Sequence, residues 1–221
     1  MVKPEFAYVA ENLLLRGGYR KTHFQADQTT LQSVSQMGDL YKQQVKKLDI
    51  GDYETFIPKL TWNKSFVSPP EVFYFQEFIL QSLTRQWLSG NVNLQAFFDS
   101  AGSGNIRAED FEVLGEKALP EGHIDLLIKD RVPKGYSRRV IVEVKTGKAG
   151  PKDIVQLEGY LNEMGVECIG GVLIAKDFSR KILQGSGAKR IKRFVYSFGL
   201  IDGIHKHSLD DLRSVFRLIA I

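Results

Sequence analysis

Two apolar segments, each interrupted by a single carboxylate, constrain the fold more than any other feature of the sequence. HIDLLIK, residues 123–129, contains Asp125; RVIVEVKT, residues 139–146, contains Glu143 and, two positions later, Lys145. Both segments are rich in apolar and β-branched residues, which predicts two strands of a sheet. Because side chains alternate along a strand, Glu143 and Lys145 share one face and the three valines of the second segment face the core. Pairing of the two strands would bring the two carboxylates close together.

The same alternation predicts how the first strand is oriented. It places Asp125 on one face with His123 and Leu127, and it places Ile124 and Leu126 on the other. His123 could then contact a substrate or serve as a structural histidine, and the sequence leaves both readings open.

The patterns around these segments predict an α/β protein with a mixed central sheet flanked by helices. Three consecutive strands followed by an alternation of helices and strands favour this arrangement. A capping-box pattern, Ser68-Pro69-Pro70-Glu71, predicts the start of the first of these helices. We expect a mainly helical N-terminal region over residues 1–67 and a second domain over 68–221. The predicted helices cover residues 69–88, 153–165, 178–184 and 208–219, and the predicted strands cover 111–119, 123–129, 139–146, 168–175 and 191–198.

Two carboxylates in apolar surroundings repel each other unless they share a proton or a cation. A hard divalent cation such as Mg²⁺ prefers carboxylate and carbonyl oxygens together with water. A neighbouring lysine can neutralise further negative charge and orient a water. This set of groups suits metal-assisted hydrolysis of a phosphodiester, in which the cation activates water and stabilises the charge of the transition state.

The sequence resembles a known family in the order of three short motifs. They are Gly122-x-x-Asp125, Glu143-Val144-Lys145 and Gln156-x-x-x-Tyr160. This order resembles the PD-(D/E)XK nuclease superfamily, and the last motif is that of its RecB-like branch. Residues 111–198 are also similar to the catalytic domain of archaeal NucS-type endonucleases, which cut single-stranded, branched or mismatched DNA. The resemblance does not extend to residues 1–67.

The resemblance implies a restriction-endonuclease-like fold and a role for each matching residue. Asp125, Glu143 and the backbone carbonyl of Val144 would bind Mg²⁺ or Mn²⁺. Lys145 would position or activate the attacking water, and Gln156 would approach the network of metal and water. The implied activity is that of a deoxyribonuclease, a hydrolase acting in DNA repair, recombination, restriction or defence.

Two further residues match the family less directly. Tyr160 lies one helical turn after Gln156 and would support the site or touch DNA. Glu77 matches the acidic residue that many members carry on the first helix, where it would be a further metal ligand. Its own sequence context also fits a salt bridge or a snorkelling side chain, because a carboxylate on an apolar helix face needs a partner.

The charge distribution fits either a polyanionic partner or a solvated basic surface, and the resemblance implies that such a partner is DNA. Residues 1–120 contain 12 Lys/Arg and 14 Asp/Glu, whereas residues 121–221 contain 18 and 12. Lys and Arg neutralise phosphates, so the second part of the chain is the better candidate for contact with nucleic acid. The candidate DNA-binding residues are Tyr160, which the resemblance implies, and six basic residues that each also fit an ordinary surface charge: Lys148, Lys152, Lys189, Arg190, Lys192 and Arg193.

Other features exclude or leave open certain functional classes. The apolar runs are too short to span a bilayer, the N-terminus does not read as a signal peptide, and Cys168 is the single cysteine, so a cytoplasmic protein without an intramolecular disulfide is expected. A non-catalytic nucleic-acid-binding or assembly module on the same fold is the alternative to a nuclease. Residues 1–67 could form a homodimer interface or recognise a partner, and the sequence does not decide between these roles.

Overall fold

The computed structural model describes residues 57–69, 71–119, 122–133, 135–184, 190–199 and 204–221. The chain divides into two units, Met1–Thr55 and Phe56–Ile221, and all of these residues lie in the second. The predicted helical N-terminal region therefore lies mostly outside the described residues, and its boundary at residue 67 stays a prediction. Residues 59–61, which that boundary assigns to the N-terminal region, form a strand within the second unit.

The helices and strands of the described part follow one another along the chain, with three short 3₁₀ turns between them. In chain order they are β1 (Lys59–Thr61), β2 (Val72–Tyr74), α1 (Glu77–Leu88), α2 (Asn91–Ser100), β3 (Phe111–Leu119), β4 (Gly122–Asp130), β5 (Arg139–Ala149), α3 (Pro151–Met164), β6 (Cys168–Phe178), α4 (Arg180–Gln184), β7 (Ile191–Phe198), β8 (His207–Ser208), α5 (Leu209–Val215) and β9 (Phe216–Ala220).

A six-stranded mixed sheet in the order β3-β4-β5-β6-β7-β9 forms the centre of this unit, which confirms the predicted α/β architecture. The strands β3, β4 and β5 pair antiparallel, β5, β6 and β7 pair parallel, and β9 is antiparallel to β7. The parallel step from β5 to β6 needs a crossover, and α3 supplies it. A second, small sheet has the order β2-β1-β8. None of the described helices is long and apolar enough to cross a membrane.

Helices cover both faces of the central strands. On one face, Leu80 and Leu83 of α1 pack in a cluster that includes Val142 and Val144 of β5. On the other face, α3 packs in a second cluster that includes Ile141. The prediction that the valine face lies in the core is confirmed, but the opposite face of β5 is covered as well. Glu143, in the middle of β5, is therefore shielded from water on both faces.

The predicted helix over 69–88 is wrong in its first half. Val72–Tyr74 form β2, and α1 begins only at Glu77. Val72 is buried, and β2 pairs in parallel with β1, so the tendency of valine, phenylalanine and tyrosine to form strands is supported by a partner distant in sequence. The backbone around Ser68 closes a turn onto Val72 instead of capping a helix.

The predicted C-terminal helix over 208–219 is also too long. Ser208 caps α5 as predicted, with its hydroxyl accepting from the Asp211 amide, but the helix ends at Val215. Phe216–Ala220 form β9, which pairs with β7 at the sheet edge, with Phe216 fully buried. Here an unpaired edge of the sheet determines the structure of the segment, and helical periodicity does not report on that edge.

Candidate active site

The site lies where β4 and β5 separate. Their pairing joins Leu126–Lys129 to Arg139–Val142. Beyond it, the backbone N–H of Val144 donates to Oδ2 of Asp125 at 2.7 Å. A carboxylate thus takes the place of a main-chain acceptor, and the two strands open into a notch. Because the N–H and C=O groups of one strand residue point the same way, the Val144 carbonyl is directed toward this notch as well.

The side chain of Asp125 does not point to the sheet face that regular alternation along β4 predicts. Ile124 lies in the same hydrophobic cluster as Leu127, although alternation predicts opposite faces, so the prediction was wrong at this point and β4 is irregular between these residues. The irregularity brings Asp125 within reach of α1, where Gln81 donates its amide to Oδ1 at 2.7 Å. Both oxygens of Asp125 therefore accept a hydrogen bond.

Glu143 is the most deeply buried carboxylate of the site, with 1% of its side chain exposed. Its Oε1 accepts from Nζ of Lys145 at 2.9 Å and from the amide of Gln156 at 3.1 Å. Its Oε2 is buried and has no hydrogen-bond partner among the described residues. An unmatched buried carboxylate oxygen is costly unless another positively polarised group approaches it.

Lys145 lies between the carboxylate of Glu77 on α1 and that of Glu143 on β5. Its ammonium lies 3.6 Å from Oε1 of Glu77 as well as contacting Glu143. The other oxygen of Glu77 accepts from the backbone N–H of Thr146 at 3.3 Å. The structure therefore gives Glu77 the salt-bridge partner that its position requires, and that partner lies inside the site.

The helix motif reaches the site from the opposite face of the sheet. The amide nitrogen of Gln156 carries two hydrogens, one for Glu143 and one for the Tyr160 hydroxyl, which accepts at 2.9 Å. Tyr160 holds Gln156 through this hydrogen bond. Because only 5% of Tyr160 is exposed, it has little surface with which to contact DNA. The hydroxyl also lies where a side chain on Gly122 would be: a Cβ there would stand 2.7 Å from it, and Gly122 has a φ of +151°.

Burial and mutual repulsion shift the proton equilibria of this cluster. Burial, together with the charge of Glu143, raises the pKa of Asp125 to about 7, against the opposing effects of the Val144 N–H and of Lys145. Burial also raises the pKa of Glu143, although the hydrogen bond from Lys145 opposes it. Burial alone would lower the pKa of Lys145, but its hydrogen bond to Glu143 and the surrounding carboxylates outweigh this and raise it. Lys145 therefore remains a cation that balances the negative charge of Glu143 and Glu77.

The donor set fits a hard divalent cation. Asp125 and Glu143 offer two carboxylates, the Val144 carbonyl is directed toward them, and the unmatched Oε2 of Glu143 is free to be a ligand. Within the described ranges, no three His, Cys, Asp or Glu side chains form a ready-made metal cluster. Glu77 is engaged by Lys145, so the carboxylates that would hold an ion are those of Asp125 and Glu143.

The predicted DNA-binding lysines and arginines do not all have free side chains. Lys148 forms an exposed ion pair with Asp177 at 3.1 Å. The guanidinium of Arg190 donates to the Cys168 carbonyl, and that of Arg193 donates to the Ile182 carbonyl at 2.7 Å. Lys152 and Lys192 are exposed, and Lys189 lies outside the described residues.

Two residues of the site were missed by the sequence reasoning. Gln81 contacts Asp125, and Tyr196 of β7 donates its hydroxyl to the Thr146 carbonyl at 2.7 Å. Gln81 could have been found from its spacing, because it lies four residues after Glu77 on the same helix face. No local pattern marks Tyr196, whose contact spans 50 residues of sequence.

Comparisons with known proteins give partial matches only. The described fold is similar to the crystal structure of a repair endonuclease from Pyrococcus abyssi, at 22% identity and a TM-score of 0.28, over 40% of this chain and 37% of that one. It is also similar to the structure of an EndoMS–dsDNA2 complex, at 29% identity and a TM-score of 0.26, over 36% of this chain and 31% of that one. The chain thus spans only about a third of the length of either protein. No family model and no curated protein matches the sequence.

Proposed function

We propose that this chain is a divalent-metal-dependent nuclease that hydrolyses phosphodiester bonds of DNA at the notch between β4 and β5. The burial of Glu143 carries the proposal. Its side chain is 1% exposed, and its Oε2 has no hydrogen-bond partner among the described residues. It lies beside a second carboxylate, Asp125, whose pKa is raised to about 7. A fold keeps two such groups in apolar surroundings at a cost in stability, which is a frequent feature of functional sites.

Each side chain of the cluster has a task in this reaction. A bound Mg²⁺ or Mn²⁺ would supply Lewis-acid stabilisation of the phosphate and a water of lowered pKa. Asp125 and Glu143 would hold the ion, and the backbone carbonyl of Val144, whose N–H donates to Asp125, would be a further ligand. Lys145 stays protonated and is placed to orient a water and to balance negative charge on the phosphate. The amide of Gln156 donates to Oε1 of Glu143, which leaves Oε2 as the oxygen that would bind the ion.

Two observations support DNA as the substrate. The order of the motifs around Asp125, Glu143 and Gln156 resembles a nuclease superfamily, and residues 121–221 carry 18 Lys/Arg against 12 Asp/Glu. Positive charge around a hydrolytic site raises the local concentration of a polyanion and speeds its association. Single-stranded, branched or otherwise structured DNA is the proposed form, with a role in repair, recombination or defence.

The test is metal-dependent cleavage. The purified full chain would be incubated with end-labelled single-stranded, branched and duplex DNA in Mg²⁺, Mn²⁺ or EDTA. We expect cleavage with either metal, none in EDTA, and a loss of at least a hundredfold in Asp125→Ala and Glu143→Ala. Asp210→Ala is the matched control, because it removes a carboxylate whose side chain is 80% exposed on α5. Cleavage that survives either active-site substitution would refute this assignment of the site.

The same experiment decides the alternative of a non-catalytic module. That alternative predicts salt-dependent binding of DNA without metal-dependent cleavage. Fluorescence anisotropy with labelled DNA at two salt concentrations, run beside the cleavage assay on the same preparation, separates the two functions.

A further inference from the structure

A β-bulge follows Lys145 directly. The pairing of β5 with β6 joins Lys145 to Ala175 and resumes with Lys148 opposite Asp177, so two residues, Thr146 and Gly147, lie opposite the single residue between them on β6. A bulge bends its strand and redirects the neighbouring side chains, and bulges are frequent next to active sites. The direction of the Lys145 side chain therefore depends on how this bulge is held.

Both backbone groups of Thr146 are held by side chains from other elements. Its N–H donates to Oε2 of Glu77 on α1 at 3.3 Å. Its carbonyl accepts from the hydroxyl of Tyr196 on β7 at 2.7 Å, although β6 lies between these strands. The bulge is thus held by one hydrogen bond to α1 and by one to β7 across the sheet.

The surroundings of Tyr196 hold its side chain in one position. It is 5% exposed, and its ring packs at 5.7 Å from that of Phe198. Phe198 in turn contacts Phe75 and Trp62, which belong to the segments around the small sheet. An aromatic cluster therefore fixes the hydroxyl from behind, and a buried tyrosine keeps its hydrogen bond because the unpaired carbonyl would be costly.

We propose that Tyr196 is a positioning residue for the proposed nuclease reaction: by holding the Thr146 bulge, it keeps Lys145 between Glu143 and Glu77. The inference rests on the proposed function for its effect on rate. Its structural part, that Tyr196 holds the bulge, does not depend on that function. Tyr196 is too deeply buried to touch DNA, so its influence passes through Thr146 and Lys145.

The kinetic test uses Tyr196→Phe, which removes one hydroxyl and keeps the ring. We expect kcat for DNA cleavage to fall about 10- to 100-fold, the scale for a small misplacement of a reacting group, with KM unchanged within about twofold. Tyr136→Phe is the matched control, because Tyr136 is 60% exposed and lies in the loop between β4 and β5. A purely stabilising role would lower the melting temperature and leave kcat of the folded protein unchanged, which would overturn the proposal.

A double-mutant cycle tests the route through the bulge. If Tyr196 and Glu77 hold the same peptide group, the rate effects of Tyr196→Phe and Glu77→Gln will be less than additive. Full additivity would overturn the proposed route.

A structural readout separates this inference from the proposed function. Amide hydrogen exchange, measured by NMR at Thr146, should be at least about tenfold faster in Tyr196→Phe and unchanged in Tyr136→Phe. Unchanged exchange at Thr146 overturns the inference, whether or not the wild-type protein cleaves DNA. Absence of cleavage in the wild type, together with faster exchange in the variant, overturns the proposed function and leaves the fastening of the bulge supported.

Discussion

The substitution Asp125→Asn should make the metal-free protein more stable at neutral pH while removing its activity. The carboxylate of Asp125 is held in a notch with Glu143, and burial together with that neighbouring charge raises its pKa from 3.8 to about 7. Asparagine keeps the shape and can still accept from the Val144 N–H through its oxygen. Its NH₂ group can donate to the Gln81 side-chain oxygen once that amide turns over, so the main hydrogen bonds have neutral equivalents.

The sign and size of the effect follow from the two pKa values. Below pH 3.8 the carboxyl is protonated in both the folded and the unfolded chain, and it costs no stability. As pH rises from 3.8 to about 7, the unfolded chain ionises first, so the folded state loses stability, and the loss is complete above about pH 7. This interval of about three pH units corresponds to about 4 kcal/mol as an upper limit. Since the ionised group also forms stronger hydrogen bonds than an amide, we expect a net gain of about 1–3 kcal/mol for the variant.

The assay is urea unfolding in EDTA, followed by tryptophan fluorescence, from about pH 4 to about pH 8. The stability difference between Asp125→Asn and wild type should be near zero at the acidic end and grow until about pH 7. Asp210→Asn, at a side chain that is 80% exposed, should show no such growth. A variant that is less stable than wild type at pH 8, or a difference that does not change with pH, would refute the reasoning.

Three further outcomes can be measured on the same preparations. Added Mg²⁺ should raise the melting temperature of the wild type more at pH 8 than at pH 5.5, because protons compete with the ion for the carboxylates, and EDTA should reverse the rise. Gln156→Leu should lower kcat by about tenfold in the cleavage assay, because Glu143 loses one of its two donors and Tyr160 loses its partner. Gly122→Ala should lower the unfolding free energy by about 1–3 kcal/mol, since its Cβ would stand 2.7 Å from the Tyr160 hydroxyl, whereas Gly147→Ala, which meets open space, should not. Chemical denaturation measures both glycine variants, and full stability of Gly122→Ala would contradict the close approach.

The strands that carry the site were predictable because local signals agree along them. Residues 139–146 and 123–129 combine β-branched residues, apolar runs and turn residues at their ends, and the structure has β5 and β4 there. The position of Glu143 and Lys145 on one strand face follows from that assignment alone. The burial of Glu143 does not, because it depends on α3 covering the second face of β5.

The elements that were not predicted depend on partners distant in sequence. Val72–Tyr74 and Phe216–Ala220 each follow a pattern that also fits a helix, and each becomes a strand because an open sheet edge is available to it. The irregularity at Ile124 has the same kind of cause. Alternation describes a regular ladder, and the ladder between β4 and β5 ends beside Asp125.

The charge of the cluster gives a physical reason why the irregularity of β4 and the bulge of β5 both lie beside the site. With all groups ionised, Glu77, Asp125 and Glu143 carry −3 and Lys145 carries +1, which leaves −2 around the buried carboxylate of Glu143. A regular strand pair would hold this charge against apolar neighbours at full cost. Opening of the strands lets main-chain N–H groups of Val144 and Thr146 compensate part of the charge, through a notch on one side of β5 and a bulge on the other. The net charge of −2 is unchanged by these neutral N–H groups and equals the charge that one divalent cation would neutralise, so the irregular geometry and the proposed metal dependence have the same electrostatic origin.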